Sequence, residues 1–434
     1  MSLHDEHGRT SRFVGRRLIV IVTTLLGVTM LLGGCGSSTS SKASVSPPAR
    51  IVTITIPAGT DVAPHWWGYP GPPRANVLLP AGYDPHRRYP LLVLLNGFDT
   101  DYDWYAHWGL AQLLDHLGAI VVMPEGASGW YANWWNDGQR GDPAWETYEL
   151  DVVIPSVLAR YPILPGRHYH AIAGTSMGGL GAVYLAGRLP GFFGSVASLS
   201  GWDDPQYEAN VVQPGMAEGS EATANGDHDP DPIYGPPNGF YATGHNPVAL
   251  AKNLRHTRVF ESTGNGTPAK GEPPDPTADS EEALFIYPMN KLYHPVLVKA
   301  GVDVTYQVHA GGHDIPAFRG EIKAMLKWGL FKTVPADPSS WTDVTVATSG
   351  QLWDIDYRFT HPPVQMVTFA QTGTSLSVST AGSPVTITEP SGCTVRVATP
   401  TKIRLTSRGS MSPSHFPPLP PTMPTHAPER KCSP

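Results

Sequence analysis

Unbroken apolar runs alternate with helically spaced stretches over the first two thirds of the chain. Residues 91–95 and 118–123 are runs of this kind, with no polar position on either parity. Such runs suit strands buried on both faces of a sheet. Residues 51–56 and 74–79 also read as strands, and 259–262 and 302–309 supply two later ones. Between them, residues 108–117, 148–161 and 316–330 space their apolar positions as helices do. Strands alternating with helices predict an α/β domain around a mostly parallel sheet, here over residues 51–333. Beyond residue 341 the texture changes to short β-branched segments (345–346, 353–359, 366–370, 376–379, 385–388) separated by Gly, Ser, Pro and Thr. That pattern predicts a small all-β, sandwich-like module over residues 342–406, joined by a linker at 335–340.

The two ends read differently. Arg9, Arg12, Arg16 and Arg17 precede an apolar run at 18–32, followed by Gly33-Gly34-Cys35 and a Ser-rich stretch. This is the layout of a signal peptide over residues 1–34. The run is shorter than the roughly 20 residues a spanning helix needs. Leu32-Gly33-Gly34-Cys35 resembles a bacterial lipobox, which implies lipidation of Cys35 and a membrane anchor on an exported protein. Residues 35–50 then serve as a flexible linker. Residues 407–434 are Pro-rich and predict a disordered tail. Of the three cysteines, Cys393 and Cys432 remain for pairing in an oxidising compartment.

Composition narrows the function classes. The chain has 434 residues, 45 Gly and 45 Pro, only 15% charged residues and a formal net charge of -7. A chain of this size accommodates one large domain with additions. An acidic exterior argues against nucleic acid as a partner.

The sharpest chemical signal is Gly174-Thr175-Ser176-Met177-Gly178, a G-x-S-x-G pattern. A short buried strand precedes it at 168–173, and a helix of small and apolar residues follows at 180–186. Strand, sharp turn and helix is the setting in which a nucleophilic serine is presented. A serine at its free pKa is a weak nucleophile, so it needs a histidine base and an acid to orient that base. His313, in Gly311-Gly312-His313-Asp314 after the 302–309 strand, occupies the loop where such a base belongs. His309 lies within the strand and reads as structural. For the acid, Glu282 is the first choice and Glu281 the second, at the start of a helical stretch; Asp279, Asp203 and the 227–231 region remain alternatives. The oxyanion needs two backbone N–H donors. Met177 supplies one and Phe98, in the Asn96-Gly97-Phe98-Asp99 turn after the 91–95 strand, supplies the other. Asn96, Gly97, Asp99, Trp130 and Trp134 are expected to line the substrate site, since loops at the carboxyl ends of strands gather there.

Leu79-Pro80-Ala81-Gly82-Tyr83-Asp84, Tyr89-Pro90, Leu95-Asn96-Gly97, the Gly174 to Gly179 elbow, Gly264-Asn265-Gly266-Thr267-Pro268 and Gly312-His313 together resemble the esterase D group, especially its secreted mycolyltransferase-like members. The resemblance spans roughly residues 51–332. It implies an α/β-hydrolase fold, a Ser-Glu-His triad, an ester substrate, no metal and no organic cofactor. It also implies that the acid falls near the start of the 281–292 helix, in favour of Glu282. Two departures bear on substrate. Mycolyltransferases carry an Asp and an Arg in the oxyanion turn, where this chain has Asn96-Gly97-Phe98-Asp99, and Ser-Trp after the histidine, where it has Asp314-Ile315. Both remove contacts to a sugar acceptor, so ester hydrolysis is expected ahead of trehalose mycolylation. A non-catalytic carbohydrate- or matrix-binding protein on the same fold is the rival from another class.

Overall fold

The computed structural model describes residues 47–56, 72–136, 144–219, 231–334, 338–406 and 430–431. The signal-like segment, Cys35, most of the expected linker, residues 227–230 and Cys432 lie outside them.

Eight strands form the sheet of the larger domain: β1 (Arg50–Thr55), β2 (Arg74–Leu79), β3 (Leu91–Leu95), β4 (Ile120–Pro124), β5 (His170–Thr175), β6 (Ser195–Leu199), β7 (Arg258–Thr263) and β8 (Asp303–Val308). Their spatial order is β1-β2-β4-β3-β5-β6-β7-β8. From β4 to β8 all neighbours are parallel, while β1 and β2 run antiparallel at one edge. This is the α/β-hydrolase architecture.

The apolar runs have a direct cause. Leu91, Val93 and Leu95 of β3 pack into one core, with Ile120 and Val122 of β4 and the helix Met177–Arg188. Leu92 and Leu94, with Val121 and Met123, face the opposite core, which is covered by the helix Ile315–Trp328. Successive side chains point to opposite faces, and both faces are dry, so neither parity is polar.

Helix boundaries depart from the sequence expectation at three places, each with a local reason. The 108–117 stretch is helical only over Leu110–Leu114; a separate short helix, Trp104–His107, precedes it, and the two are divided where Gly109 adopts φ 73°. The 148–161 stretch opens with the π-helical turn Tyr148–Val153 before Ile154–Arg160. A second π turn, Glu282–Ile286, joins Pro276–Glu281 to Tyr287–Ala300. Pro155 and Pro288 follow these turns within two residues, and a residue without an N–H interrupts the regular hydrogen-bond ladder.

The C-terminal module is a two-sheet sandwich. Its strands are β9 (Ser340–Thr345), β10 (Ser349–Leu352), β11 (Ile355–Phe359), β12 (Val367–Thr372), β13 (Ser375–Val378), β14 (Val385–Thr388), β15 (Cys393–Val397), β16 (Thr401–Arg404) and β17 (Arg430–Lys431). They form the sheets β10-β11-β14-β15-β17 and β16-β13-β12-β9. Alternate residues, among them Tyr357, Phe359, Phe369, Leu376 and Ile387, fill the space between them. The tail expected to be wholly disordered instead contributes β17, which pairs with β15 at Cys393 and Thr394. An open strand edge offers unpaired backbone groups, and returning chain satisfies them. Cys393 is disulfide-bonded.

A buried ion pair of the larger domain reaches the module through Arg188. Arg188, at the end of the helix Met177–Arg188, donates from Nε to Glu146 Oε1 at 2.7 Å and from its guanidinium to Thr345 Oγ1 at 2.9 Å. Tyr184 Oη donates to Glu146 Oε2 at 2.6 Å, and His245 Nε2 lies 3.4 Å from the same oxygen. Beside it, Asn253 Nδ2 donates to Gly187 O and Val344 O, and Val344 N donates back to Asn253 Oδ1. Burial works to raise the Glu146 carboxyl, but Arg188, His245 and Tyr184 outweigh it and hold it at about 2.

Removing one partner of a buried pair strands the other charge. Arg188→Met is therefore expected to cost about 3–5 kcal/mol in urea denaturation at pH 7. Because the folded-state value of Glu146 lies below its ordinary 4.5, its contribution is present above pH 4.5 and is lost as pH falls towards about 2. The penalty of Arg188→Met should narrow across that window. A penalty independent of pH would assign the loss to packing alone.

Candidate active site

The carboxyl end of β5 carries Ser176, which is held at φ 57° and ψ -124° as the helix Met177–Arg188 begins. A non-glycine residue in the left-handed region is strained, so its surroundings must enforce it. They do so through backbone packing. A Cβ at Gly174 would lie 2.3 Å from Gly178 O, and one at Gly178 would lie 2.2 Å from Leu95 O. Only glycine permits this approach. Ser176 N donates to Leu199 O, and Gly179 N donates to Ser176 O.

His313 sits in the loop after β8. Its backbone N–H donates to Ala278 O, and the following residue, Asp314, caps the helix Ile315–Trp328 by accepting from Ala317 N. His313 Nε2 lies 2.8 Å from Ser176 Oγ, and Nδ1 lies 2.8 Å from Glu282 Oε2. A carboxylate accepts, so Nδ1 carries the proton and Nε2 presents its lone pair to the serine hydroxyl. Glu281 comes no closer than 3.8 Å to Nε2 and its side chain is 38% exposed, whereas the Glu282 side chain is fully buried. The π turn begins at Glu282 and aims it inward. Burial works to lower the His313 value, but the Glu282 hydrogen bond and the charges of Glu281, Glu282 and Glu321 together raise it above 6.5.

The other acids considered from sequence have different partners. Asp203 is buried and both its oxygens accept from Ser198 Oγ. Asp279 Oδ2 accepts from Asp275 N at a helix start.

The turn after β3 lies against the serine: a Cβ on Gly97 would be 3.6 Å from Ser176 Cβ. Among the described residues, neither Phe98 N–H nor Met177 N–H has an acceptor. Met177 also stands at the positive end of a 12-residue helix. Asn96 is not a substrate-lining residue as expected, because its amide is consumed within the turn. Nδ2 donates to Gly97 O, Thr100 O and Ala127 O, while Oδ1 accepts from Gly126 N and Tyr131 Oη. Asp99 is exposed at φ 55°, with its N–H donated to Ser128 Oγ.

The tryptophans also need correction. Trp134 is buried in the core, its Nε1 donating to Gly129 O, so it lines nothing. Trp130 is 3% exposed and backs the site, its ring 5.6 Å from Phe98 and 5.7 Å from Trp202. Trp202 in turn stacks on Phe285 at 6.2 Å. Trp202 and Phe285, both half-buried, were not singled out from sequence; the position of Trp202 just after β6 was the available signal. On the histidine side, Phe318 lies edge-on to His313 at 5.0 Å and to Trp104 at 6.1 Å. Ser200 and Thr263, which contact Glu282 through their hydroxyls, carry no motif at all. Among the described residues no three His, Cys, Asp or Glu side chains converge as a metal's ligands would.

A nucleophile-capable serine bonded to an imidazole that is itself oriented by a buried carboxylate, beside two unpaired N–H groups, can support acyl transfer from esters. Known proteins point the same way. Esterase Rv1288 of Mycobacterium tuberculosis is 30% identical over 251 residues, covering 56% of this chain and 52% of that one, so the chain spans about half that relative's length. The diacylglycerol acyltransferase/mycolyltransferase Ag85C of Mycobacterium leprae is 28% identical over 275 residues, 60% of this chain and 75% of that one. The crystal structure of Mycobacterium tuberculosis MPT51 shares the fold, with a TM-score of 0.51 at 22% identity over 65% of this chain and 99% of that one. Residues 69–328, more than half of the chain, match the family model described as putative esterase, and the chain belongs to that family.

Proposed function

We propose that the protein is an exported serine esterase that cleaves carboxylic esters through an acyl-enzyme on Ser176. The 2.8 Å contacts from Ser176 Oγ to His313 Nε2 and from His313 Nδ1 to Glu282 Oε2 carry this reading. His313 takes the proton of Ser176 as Oγ attacks the ester carbonyl, and Glu282 holds the imidazole in the tautomer that permits it. The carbonyl oxygen becomes negative and accepts hydrogen bonds from Phe98 N–H and Met177 N–H. His313 then returns the proton to the departing alcohol. Water enters, loses a proton to His313 and attacks the acyl-enzyme, releasing the acid and restoring Ser176.

Acyl transfer to a sugar hydroxyl is the second reading, motivated by the similarity to a mycolyltransferase. The turn residue Asn96 is bonded inward and no Arg stands beside it, which favours water as the acceptor. A non-catalytic binding role is disfavoured, since it needs neither the aligned imidazole nor the unpaired donors. Export and anchoring at a membrane through Cys35 rest on the amino-terminal sequence pattern.

Ser176→Ala is expected to abolish turnover across a panel of p-nitrophenyl esters; activity retained at wild-type level would sink the esterase reading. Adding trehalose tests the acceptor: a fall in free acid at constant p-nitrophenol release would move the assignment to transfer. Glu282→Gln should lower kcat by about 10⁴, as loss of an orienting acid does in serine triads.

Glu281→Gln should leave kcat within about threefold of wild type and act on pH dependence instead. The base works only when His313 is neutral, so kcat/KM falls as pH drops through a value above 6.5. Removing the Glu281 charge withdraws one cause of that elevation, and the acid limb should move to lower pH. An unmoved limb would mean that Glu281 is screened from the imidazole.

A further inference from the structure

Behind the Ser176, His313 and Glu282 chain lies a second acid–imidazole pair that the proposed reaction does not use. His309, just past β8, places Nε2 2.9 Å from Oε1 of Glu321 on the helix Ile315–Trp328. Ser200, just past β6 and held at φ 43°, stands between the two acids. Its Oγ is 2.9 Å from Glu282 Oε1 and 3.0 Å from Glu321 Oε1. Ser200, Glu282 and Glu321 are all buried, and Glu321 Oε2 has no partner among the described residues.

Counting protons shows what this arrangement requires. His309 Nδ1 lies 2.9 Å from Ala310 O, which only accepts, so Nδ1 is protonated. The contact from Nε2 to Glu321 then needs one further proton, on one atom or the other. Ser200 has a single hydroxyl proton and faces two carboxylates. It serves only one of them, and the other contact is tolerable only when that oxygen is not a bare anion.

We propose that His309 and Glu321 are positioning residues for the reaction: by holding one proton between them they neutralise Glu321, which leaves the Ser200 hydroxyl to Glu282 and keeps that acid ionised and oriented behind His313. The proposal rests on the roles assigned above to Glu282 and His313. Thr263 Oγ1, 2.8 Å from Glu282 Oε1, is the second donor to the same oxygen. Two donors to one carboxylate oxygen fix its plane, and hence the direction in which Oε2 meets His313.

The electrostatics run the same way. Burial pushes Glu321 up to about 7, and the Glu321 hydrogen bond, against the opposing effect of burial, lifts His309 to about 9. The shared proton therefore stays through neutral pH. The charged and titratable groups facing the pair are Glu282 on the π turn and, through it, His313 and Glu281.

The test is a set of kcat–pH profiles for the full chain on a soluble p-nitrophenyl ester, with Ser176→Ala as the control. His309→Gln should lose about tenfold in kcat relative to wild type between pH 7 and 9 with KM little changed, because the buried Glu321, with no imidazole to share its proton, becomes a bare carboxylate at a lower pH than in wild type and then competes for the Ser200 proton. The double variant His309→Gln/Glu321→Gln removes the competitor and should recover to within about threefold of wild type. Ser200→Ala should lose as much as His309→Gln and gain nothing from Glu321→Gln. A double variant as slow as His309→Gln would overturn the proposal and make the pair merely structural. Should His309→Gln fail to fold, Glu321→Gln alone decides: wild type loses kcat on the alkaline side as the shared proton leaves near pH 9, and Glu321→Gln should lack that decline. The same alkaline decline in both would overturn the proposal. Activity in Ser176→Ala would instead overturn the esterase reading.

Discussion

Backbone against backbone, with no side chain between, is the contact on which the site depends. Gly174 on β5 meets Gly178 on the following helix, and Gly178 meets the last residue of β3. That triple contact closes the turn sharply enough to hold Ser176 at positive φ. It also draws the β3 turn against the serine and sets the helix start beneath it. Phe98 and Met177, carried by these elements, have backbone N–H groups with no acceptor among the described residues. A single methyl at either glycine would force these three elements apart, because the barrier is steric and has no flexible side chain to absorb it.

This constraint explains which parts of the molecule were legible in sequence. Where geometry forbids a Cβ, the requirement is written as glycine, so the elbow and the Gly311-Gly312 loop before His313 could be read directly. The double-faced burial of β3 and β4 is likewise written as unbroken apolar runs. Glu282 ranks ahead of Glu281 on the resemblance, while helical spacing alone does not separate them. Adjacent residues on a helix differ by about 100° in direction, and the π turn that decides between them is anticipated only by a proline six residues after Glu282. Ser200 and Glu321 were invisible for another reason: the partners that give them meaning come from four different elements. Asn96 and Trp134 were placed in the right loops but face inward, and facing is a tertiary property.

Buried acids in this protein behave according to what surrounds them. Glu146 sits against a guanidinium and stays ionised far into acid. Asp203, equally buried, has mainly Ser198 for company and Glu261 nearby, and burial and that neighbouring carboxylate push it strongly upward. Glu321 lies between these cases because its partner is itself titratable. The ionisation of each of these acids is thus set by its own surroundings. His313, against the opposing effect of burial, is raised likewise by its own neighbours, Glu282 first and then Glu281 and Glu321.

The helix that presents Ser176 at one end is clamped at the other by Arg188 to a residue of the sandwich. Twelve residues of helix span about 18 Å, with Ser176 and the clamp at opposite tips of one stiff rod. The sandwich is therefore not a loosely tethered appendage but a body fixed to the domain that carries Ser176. Any point on the sandwich surface thereby keeps a fixed bearing from Ser176.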